Sequence, residues 1–301
     1  MNIVIKVDDE VKKKMIEYYK DKTRDKKIPY VIFQAEEEDT VITMYESGKV
    51  MFQGKSADVD ASMWEITLAN TNNQEKSKAE EKFYYCNSVG SDEVGTGDYF
   101  GPIVVTASYV KIEDIDFIKK LGVLDSKKMD DEKILKIAPQ LAKTIKYRSV
   151  ILNNKEYNEK YSKSSNMNKI KAIMHNKVLY QLIQEEKPNY DYIIVDEFAR
   201  EARYYEYLKG INNIQRNITF MTKAEDKNLA VACSSVISRY IFLKEFDKIA
   251  DSLSVPLPKG AGKDVDKIGE EIVDKYGEDK LKEIAKLNFR NTERILHTMI
   301  Y

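Results

Sequence analysis

The stretch Ser88-Val-Gly-Ser-Asp-Glu-Val-Gly-Thr-Gly-Asp-Tyr-Phe-Gly-Pro-Ile-Val-Val-Thr-Ala107 limits what this chain can fold into more than any other. Two adjacent carboxylates, Asp92 and Glu93, sit where a short apolar run gives way to Gly95, Gly97 and Gly101. A second apolar run, Ile103 to Ala107, follows at once. This pattern predicts two paired strands whose connection leaves backbone exposed beside concentrated negative charge. A hydrophobic core does not hold two neighbouring acids, because burying unpaired charge costs on the order of several kcal/mol. Either a cation or polar substrate compensates them, or they stand exposed on a plain hairpin. Adjacent residues of a regular strand point to opposite faces. The two acids therefore share one site only if the strand bends or ends there, which Gly90 and Gly95 would permit.

An acid at the end of an apolar strand recurs twice more. Tyr192 to Val195 is a short apolar run that terminates in Asp196-Glu197, and Ile218 to Thr222 ends just before Lys223-Ala-Glu225-Asp226. In an α/β sheet such positions converge on one edge, where active sites form. All the candidate ligands are hard carboxylate oxygens. That donor type selects Mg²⁺ or Mn²⁺ over zinc, and a magnesium site of this kind keeps positions open for water and phosphate oxygens.

Around these strands the pattern alternates with helices. Met129 to Lys146 is amphipathic, with Pro139 as a point where it breaks or kinks. Tyr147 to Leu152 reads as a strand, and Met167 to Glu185 as a strong helix. Leu229 to Phe246 is apolar nearly all round and carries Ala230, Ala232, Ser234 and Ser235, as expected of a buried helix. The C-terminal third is helical and polar. The N-terminal part is a separate small α+β unit: a helix through about Lys20, three strands at Tyr30 to Ala35, Thr40 to Tyr45 and Lys49 to Gln53, and a short helix from Ser62 to Leu68 with the only tryptophan, Trp64. It has no cluster of catalytic residue types and reads as a binding module. Asn70 to Lys82 is polar without large apolar residues and is expected to be a linker. The expected organisation is 1–69 for the first domain, 70–82 for the linker and 83–301 for the second.

A length of 301 residues suits two such domains, and 43% hydrophobic residues support a core in each. The net charge of −1 hides a basic stripe from Gln140 to Tyr180, where Lys143, Lys146, Arg148, Lys155, Lys160, Lys163, Lys169, Lys171 and Lys177 are opposed only by Glu156 and Glu159. With tyrosines interleaved, such a stripe suits phosphate neutralisation, although a solvated lysine face looks the same. Cys86 and Cys233 are the only cysteines, and His175 and His297 the only histidines, so a zinc site or disulfide framework is not expected. A lone histidine on a helix is usually structural. Lys259-Gly-Ala-Gly-Lys-Asp264 lacks the first glycine and the Ser/Thr of a phosphate loop, so ATP binding is not supported. No run of about 18 apolar residues and no secretory leader pattern occurs, and a cytoplasmic protein is expected.

The residues resemble those of bacterial ribonuclease HIII. The matching pieces are Gly90-Ser-Asp-Glu-Val-Gly-Thr-Gly-Asp-Tyr-Phe-Gly-Pro102, Leu124-Asp-Ser-Lys-Lys128, Val195-Asp-Glu-Phe198, Thr222-Lys-Ala-Glu225 with the run to Arg239, and Leu287-Asn-Phe-Arg-Asn-Thr292. Tyr30-Val-Ile-Phe-Gln34 and Ser47-Gly-Lys-Val-Met-Phe-Gln-Gly54 are similar to the TATA-binding-protein-like module that this family carries and ribonuclease HII lacks. The resemblance implies an α/β, ribonuclease H-like mixed sheet flanked by helices, preceded by the TBP-like domain and closed by a helical C-terminal region. It implies endonucleolytic cleavage of the RNA strand of RNA/DNA hybrids by two Mg²⁺ or Mn²⁺ ions, with 5′-phosphate and 3′-hydroxyl products; a monomer is expected. The catalytic and metal-binding residues carried over are Asp92, Glu93, Asp196 and Glu225; Glu197 and Asp226 are bystanders. Gly95, Thr96 and Gly97 correspond to the element that reads the 2′-hydroxyl, and Ser126, Lys127 and Lys223 are candidate phosphate contacts. Two alternatives stay open: excision of single ribonucleotides from duplex DNA, as in ribonuclease HII, and non-catalytic hybrid binding.

Overall fold

A computed structural model describes residues 2–24, 28–37, 39–65, 81–123, 129–161 and 165–297. The chain divides into two compact units, Met1–Glu81 and Lys82–Tyr301. Most of the expected linker, residues 70–80, lies outside the described residues, as do Ser126 and Lys127.

In the first unit, β1 (Asn2–Lys6), α1 (Asp9–Tyr19), β2 (Val31–Glu37), β3 (Thr40–Tyr45) and β4 (Lys49–Gly54) precede a helix, α2, over residues 57–65. Asp8 caps α1 by accepting from the Val11 N–H at 2.8 Å. The four strands pair antiparallel in the order β1-β4-β3-β2. One side chain in two along each strand joins Val11, Met15, Tyr19 and Trp64 in a core, with Ile42, Met44 and Phe52 fully buried. The indole of Trp64 donates to the Tyr19 hydroxyl at 3.0 Å, which fixes α2 against α1. On the opposite face one cross-strand row runs Val4, Met51, Thr43, Gln34 through all four strands.

The second unit comprises β5 (Ser88–Val94), β6 (Ile103–Val110), α3 (Ile115–Leu121), α4 (Asp131–Thr144), β7 (Lys146–Leu152), α5 (Asn154–Lys160), α6 (Met167–Glu186), β8 (Tyr192–Asp196), α7 (Glu201–Tyr207), β9 (Ile218–Met221), α8 (Ala224–Lys227), α9 (Leu229–Leu253), α10 (Lys263–Tyr276), α11 (Asp279–Ile284) and α12 (Arg290–Ile295). The five-stranded sheet has the order β7-β6-β5-β8-β9. β5 runs antiparallel to β6 and parallel to β8, and β8 is parallel to β9. Three neighbouring strands therefore end at the same sheet edge. Pro139 does not break α4, which is continuous from Asp131 to Thr144.

The two faces of the sheet are covered differently. Val89, Val195 and Ile193 share a core with Ile170, Val178 and Leu179 of α6. The other face lies under α9, whose small residues let it approach the sheet backbone. A Cβ on Gly90 would stand 2.5 Å from the Val231 nitrogen, so only glycine fits beneath this helix. Asn228 caps α9 by accepting from Val231 N at 3.1 Å, and its amide donates to Ser88 Oγ at 2.9 Å. Ser234 and Ser238 donate to the carbonyls of Gly90 (2.9 Å) and Asp92 (3.1 Å). The serines within this apolar helix are thus hydrogen-bonded pins between α9 and β5.

Candidate active site at the ends of three parallel strands

Ser91 and Val195 are the last registered pair between β5 and β8. Asp92 and Asp196 follow them on neighbouring strands, on the face covered by α8 and α9. Asp92 is buried, with 7% of its surface exposed. Asp196 Oδ1 accepts from the Ala224 N–H at 3.2 Å, which ties the end of β8 to the start of α8, and Glu225 is the next residue. Asp196 and Glu225 are half-buried, whereas Glu197 and Asp226 are exposed. Lys223 is exposed and holds a left-handed conformation, φ 53°, at the β9–α8 turn. That backbone region is disfavoured for a residue with a side chain, and such strain gathers at functional sites.

Glu93 takes the other face. The bend that would let the two acids share one site does not occur, because β5 stays paired with β6 through Val94, opposite Val104. Alternation therefore turns Glu93 toward α6. There it pairs with Lys171 and accepts from His175 Nε2 at 2.8 Å. Burial alone would raise the Glu93 pKa, but His175 and Lys171 outweigh it and hold the carboxyl down to about 2. His175 is fully buried, bonded through Nδ1 to Ser91 Oγ at 2.8 Å and stacked on Phe198 at 5.3 Å. Lys171 lies 4.1 Å from the centroid of that same ring. Sequence reasoning missed this arrangement. The available signal was the i, i+4 spacing of Lys171 and His175, which puts both on one helix face.

Gly95 comes directly after the strand and turns the chain with φ +96°. A Cβ there would meet the Pro102 carbonyl oxygen at 2.1 Å and the Phe242 ring at 3.1 Å. Thr96 is half-buried and Gly97 exposed, with nothing within 4 Å of a Cβ built on Gly97. Glu93, Val94, Gly95, Thr96, Gly97, Asp98, Met129 and Arg239 line a cleft of about 450 Å³. The far end of the loop is anchored by Lys286, which is fully buried and donates to the carbonyls of Asp98 (2.7 Å) and Gly101 (2.5 Å). Burial pushes its ammonium down to about 7. Tyr99 adds a hydroxyl contact to Thr292 at 3.1 Å, so the Leu287–Thr292 motif is part of the loop's support. Several cations of the basic stripe are already paired: Arg148 with Glu185 and Glu186, Lys160 with Glu156, and Lys171 with Glu93.

The donor set fits a hard divalent cation by its chemistry. Asp92, Asp196 and Glu225 bring hard carboxylate oxygens toward one edge, the donor type that Mg²⁺ and Mn²⁺ take. Among the described residues, no group of three or more His, Cys, Asp or Glu side chains stands already gathered at metal-holding distances. Glu93 is the member turned away, held by Lys171 and His175.

A family profile described as Ribonuclease HII matches residues 89–292, and one described as a domain of unknown function matches residues 2–78. Ribonuclease HIII of Bacillus cereus is 40% identical over 308 residues, covering 99% of this chain and 99% of the relative. The crystal structure of Bst-RNase HIII in complex with Mn²⁺ is 35% identical, with a TM-score of 0.70, covering 99% of this chain and 98% of that one. RNase H3 of Aquifex aeolicus, 23% identical with a TM-score of 0.55 over 95% of this chain and 99% of its own, shares the fold. Sheet order and comparisons together define a nuclease with a ribonuclease H-like fold. Within that class, the chain belongs to the ribonuclease HIII family.

Proposed function

We propose that this enzyme hydrolyses the RNA strand of RNA/DNA hybrids endonucleolytically, leaving 5′-phosphate and 3′-hydroxyl ends. Asp92, Glu93, Asp196 and Glu225 are the residues assigned to hold Mg²⁺ or Mn²⁺. Bound there, divalent cations supply a water of lowered pKa and neutralise charge developing on the leaving 3′ oxygen. Asp92, buried and directly beside Asp196 across β5 and β8, is the carboxylate best placed to be shared between two ions. Ser238, bonded to the Asp92 carbonyl, keeps that strand end from moving. Glu93, held on the other strand face by Lys171 and His175, would have to leave those partners to hold an ion.

The cleft wall supplies the discrimination. Gly97 leaves the backbone of the Gly95–Gly97 loop open to a minor groove, where the 2′-hydroxyl distinguishes RNA from DNA. Lys223, and Ser126 and Lys127 beyond the described residues, are assigned to phosphates. The first unit clamps the hybrid through the sheet face that carries Val4, Met51 and Gln34, together with the basic stretch from Lys20 to Lys27. Among the described residues no helix is long and apolar enough to cross a membrane. A cytoplasmic monomer completes the reading, and light scattering of the full chain tests the monomer.

The observation that carries the assignment is the meeting of Asp92 and Asp196 at one sheet edge in a chain 40% identical to a ribonuclease HIII over nearly its whole length. Turnover of a long RNA/DNA hybrid should exceed that of a duplex with one embedded ribonucleotide. The reverse preference would place the specificity with ribonuclease HII.

A further inference from the structure

Three segments far apart in sequence meet at the rim of the cleft. Asp131, the first residue of α4, accepts from Arg239 of α9 through both its oxygens, Nε to Oδ1 at 2.9 Å and Nη2 to Oδ2 at 3.3 Å. Lys259 donates to the same Oδ2 at 2.7 Å. Burial raises the Asp131 pKa, but the two cations outweigh it and hold the carboxyl below its ordinary range. One carboxylate thus faces two permanent cations at the mouth of a cleft that Arg239 lines together with Glu93 and Asp98.

Both cations are built into the support of the loop. On α9, Ser238 holds the Asp92 carbonyl, Arg239 turns to the cleft, and Phe242 packs beneath Gly95, with the Arg239 guanidinium 5.4 Å from its ring. Next to Lys259, the Gly260 N–H donates to Asp98 Oδ1 at 2.6 Å and its carbonyl accepts from Tyr99 N at 2.8 Å. The cations are therefore registered to Gly95–Gly97 from two sides. The three side chains remain 22%, 32% and 41% exposed for Arg239, Asp131 and Lys259. Pairs this open contribute little to stability. A guanidinium offers five N–H donors in a fork that matches phosphate oxygens, more than one carboxylate can take.

We propose that Arg239 and Lys259, pre-oriented by Asp131, bind a backbone phosphate of the nucleic acid next to the nucleotide read by Gly95–Gly97. The proposal rests on the hybrid-cleaving reading above and adds a phosphate contact to it. In the free enzyme Asp131 engages both cations at the rim and competes with the arriving phosphate for their N–H donors.

The test is equilibrium binding of a fluorescent RNA/DNA hybrid to the full chain in EDTA, by anisotropy, across a series of KCl concentrations. Arg239→Gln should weaken binding about tenfold and make the slope of log affinity against log salt shallower by about one. Lys259→Gln should move in the same direction. Asp131→Asn breaks the same ion pair but removes the competing anion, so it should bind at least as tightly as the parent with an undiminished slope. Equal losses in Arg239→Gln and Asp131→Asn, with slopes unchanged, would show a structural ion pair and overturn the phosphate site. Absence of hybrid binding by the parent chain would overturn this proposal together with the reading beneath it. Single methylphosphonate linkages along each strand identify the source: the linkage whose penalty disappears in Arg239→Gln marks the strand, and additive penalties everywhere overturn the contact.

Discussion

His175 Nε2 lies 2.8 Å from Glu93 Oε2, and the imidazole that makes this contact is fully buried between Ser91 and Phe198. A histidine and a lysine one helical turn apart thus hold one carboxylate of the strand-end acid pair, while α9 packs over the other.

This contact has a sign in pH. Glu93 has a depressed pKa in the folded chain, about 2 against roughly 4.3 when unfolded. Its contribution to stability is present above the unfolded value and is lost as pH falls through the folded one. Urea unfolding in EDTA should therefore show stability falling between about pH 4.3 and 2, with a smaller fall in Glu93→Gln. An identical acid profile in both proteins would contradict the contact. His175→Ala leaves Ser91 and Glu93 short of a buried partner and should cost about 1–3 kcal/mol in the same measurement at neutral pH.

Asp92→Asn should lower metal-dependent cleavage about a thousandfold, since carboxylate charge is what positions the ions. Hybrid affinity measured in EDTA should stay close to that of the parent. Near-normal turnover by this variant would remove Asp92 from the assigned site.

The loop separates fold from recognition. Gly95→Ala forces a Cβ against Pro102 and should lower both thermal stability and turnover. Gly97→Ala meets nothing within 4 Å, so its unfolding temperature should match the parent while KM for the hybrid rises. Equal stability with unchanged KM would take Gly97 out of substrate reading.

Removing residues 1–81 takes away a unit with its own core and should raise the hybrid Kd much more than it lowers kcat. An unchanged Kd would leave the first unit a role in stability alone.

The strand-end acids were legible because apolar runs that stop at an acid reveal a sheet edge, and β8 does end at Asp196. The helix from Leu229 was legible from its continuous apolarity, and extends to Leu253. Of the two effects expected of Pro139, a break does not occur, since α4 runs on from Asp131 to Thr144. The opposite orientation of Glu93 follows from β5 remaining regular, since neighbouring strand residues face opposite ways. His175, Lys286 and the Arg239–Asp131–Lys259 cluster were not legible, because each depends on partners brought together by tertiary packing. Arg239 and Asp131 are 108 residues apart, and no local pattern encodes that meeting.

The most direct test of the central claim uses a hybrid labelled on its RNA strand, incubated with the full chain in Mg²⁺, Mn²⁺ or EDTA. The account predicts internal RNA fragments ending in 3′-hydroxyl groups with either ion and an intact strand in EDTA. Cleavage that persists undiminished in EDTA, or an RNA strand left whole in both ions, would contradict it.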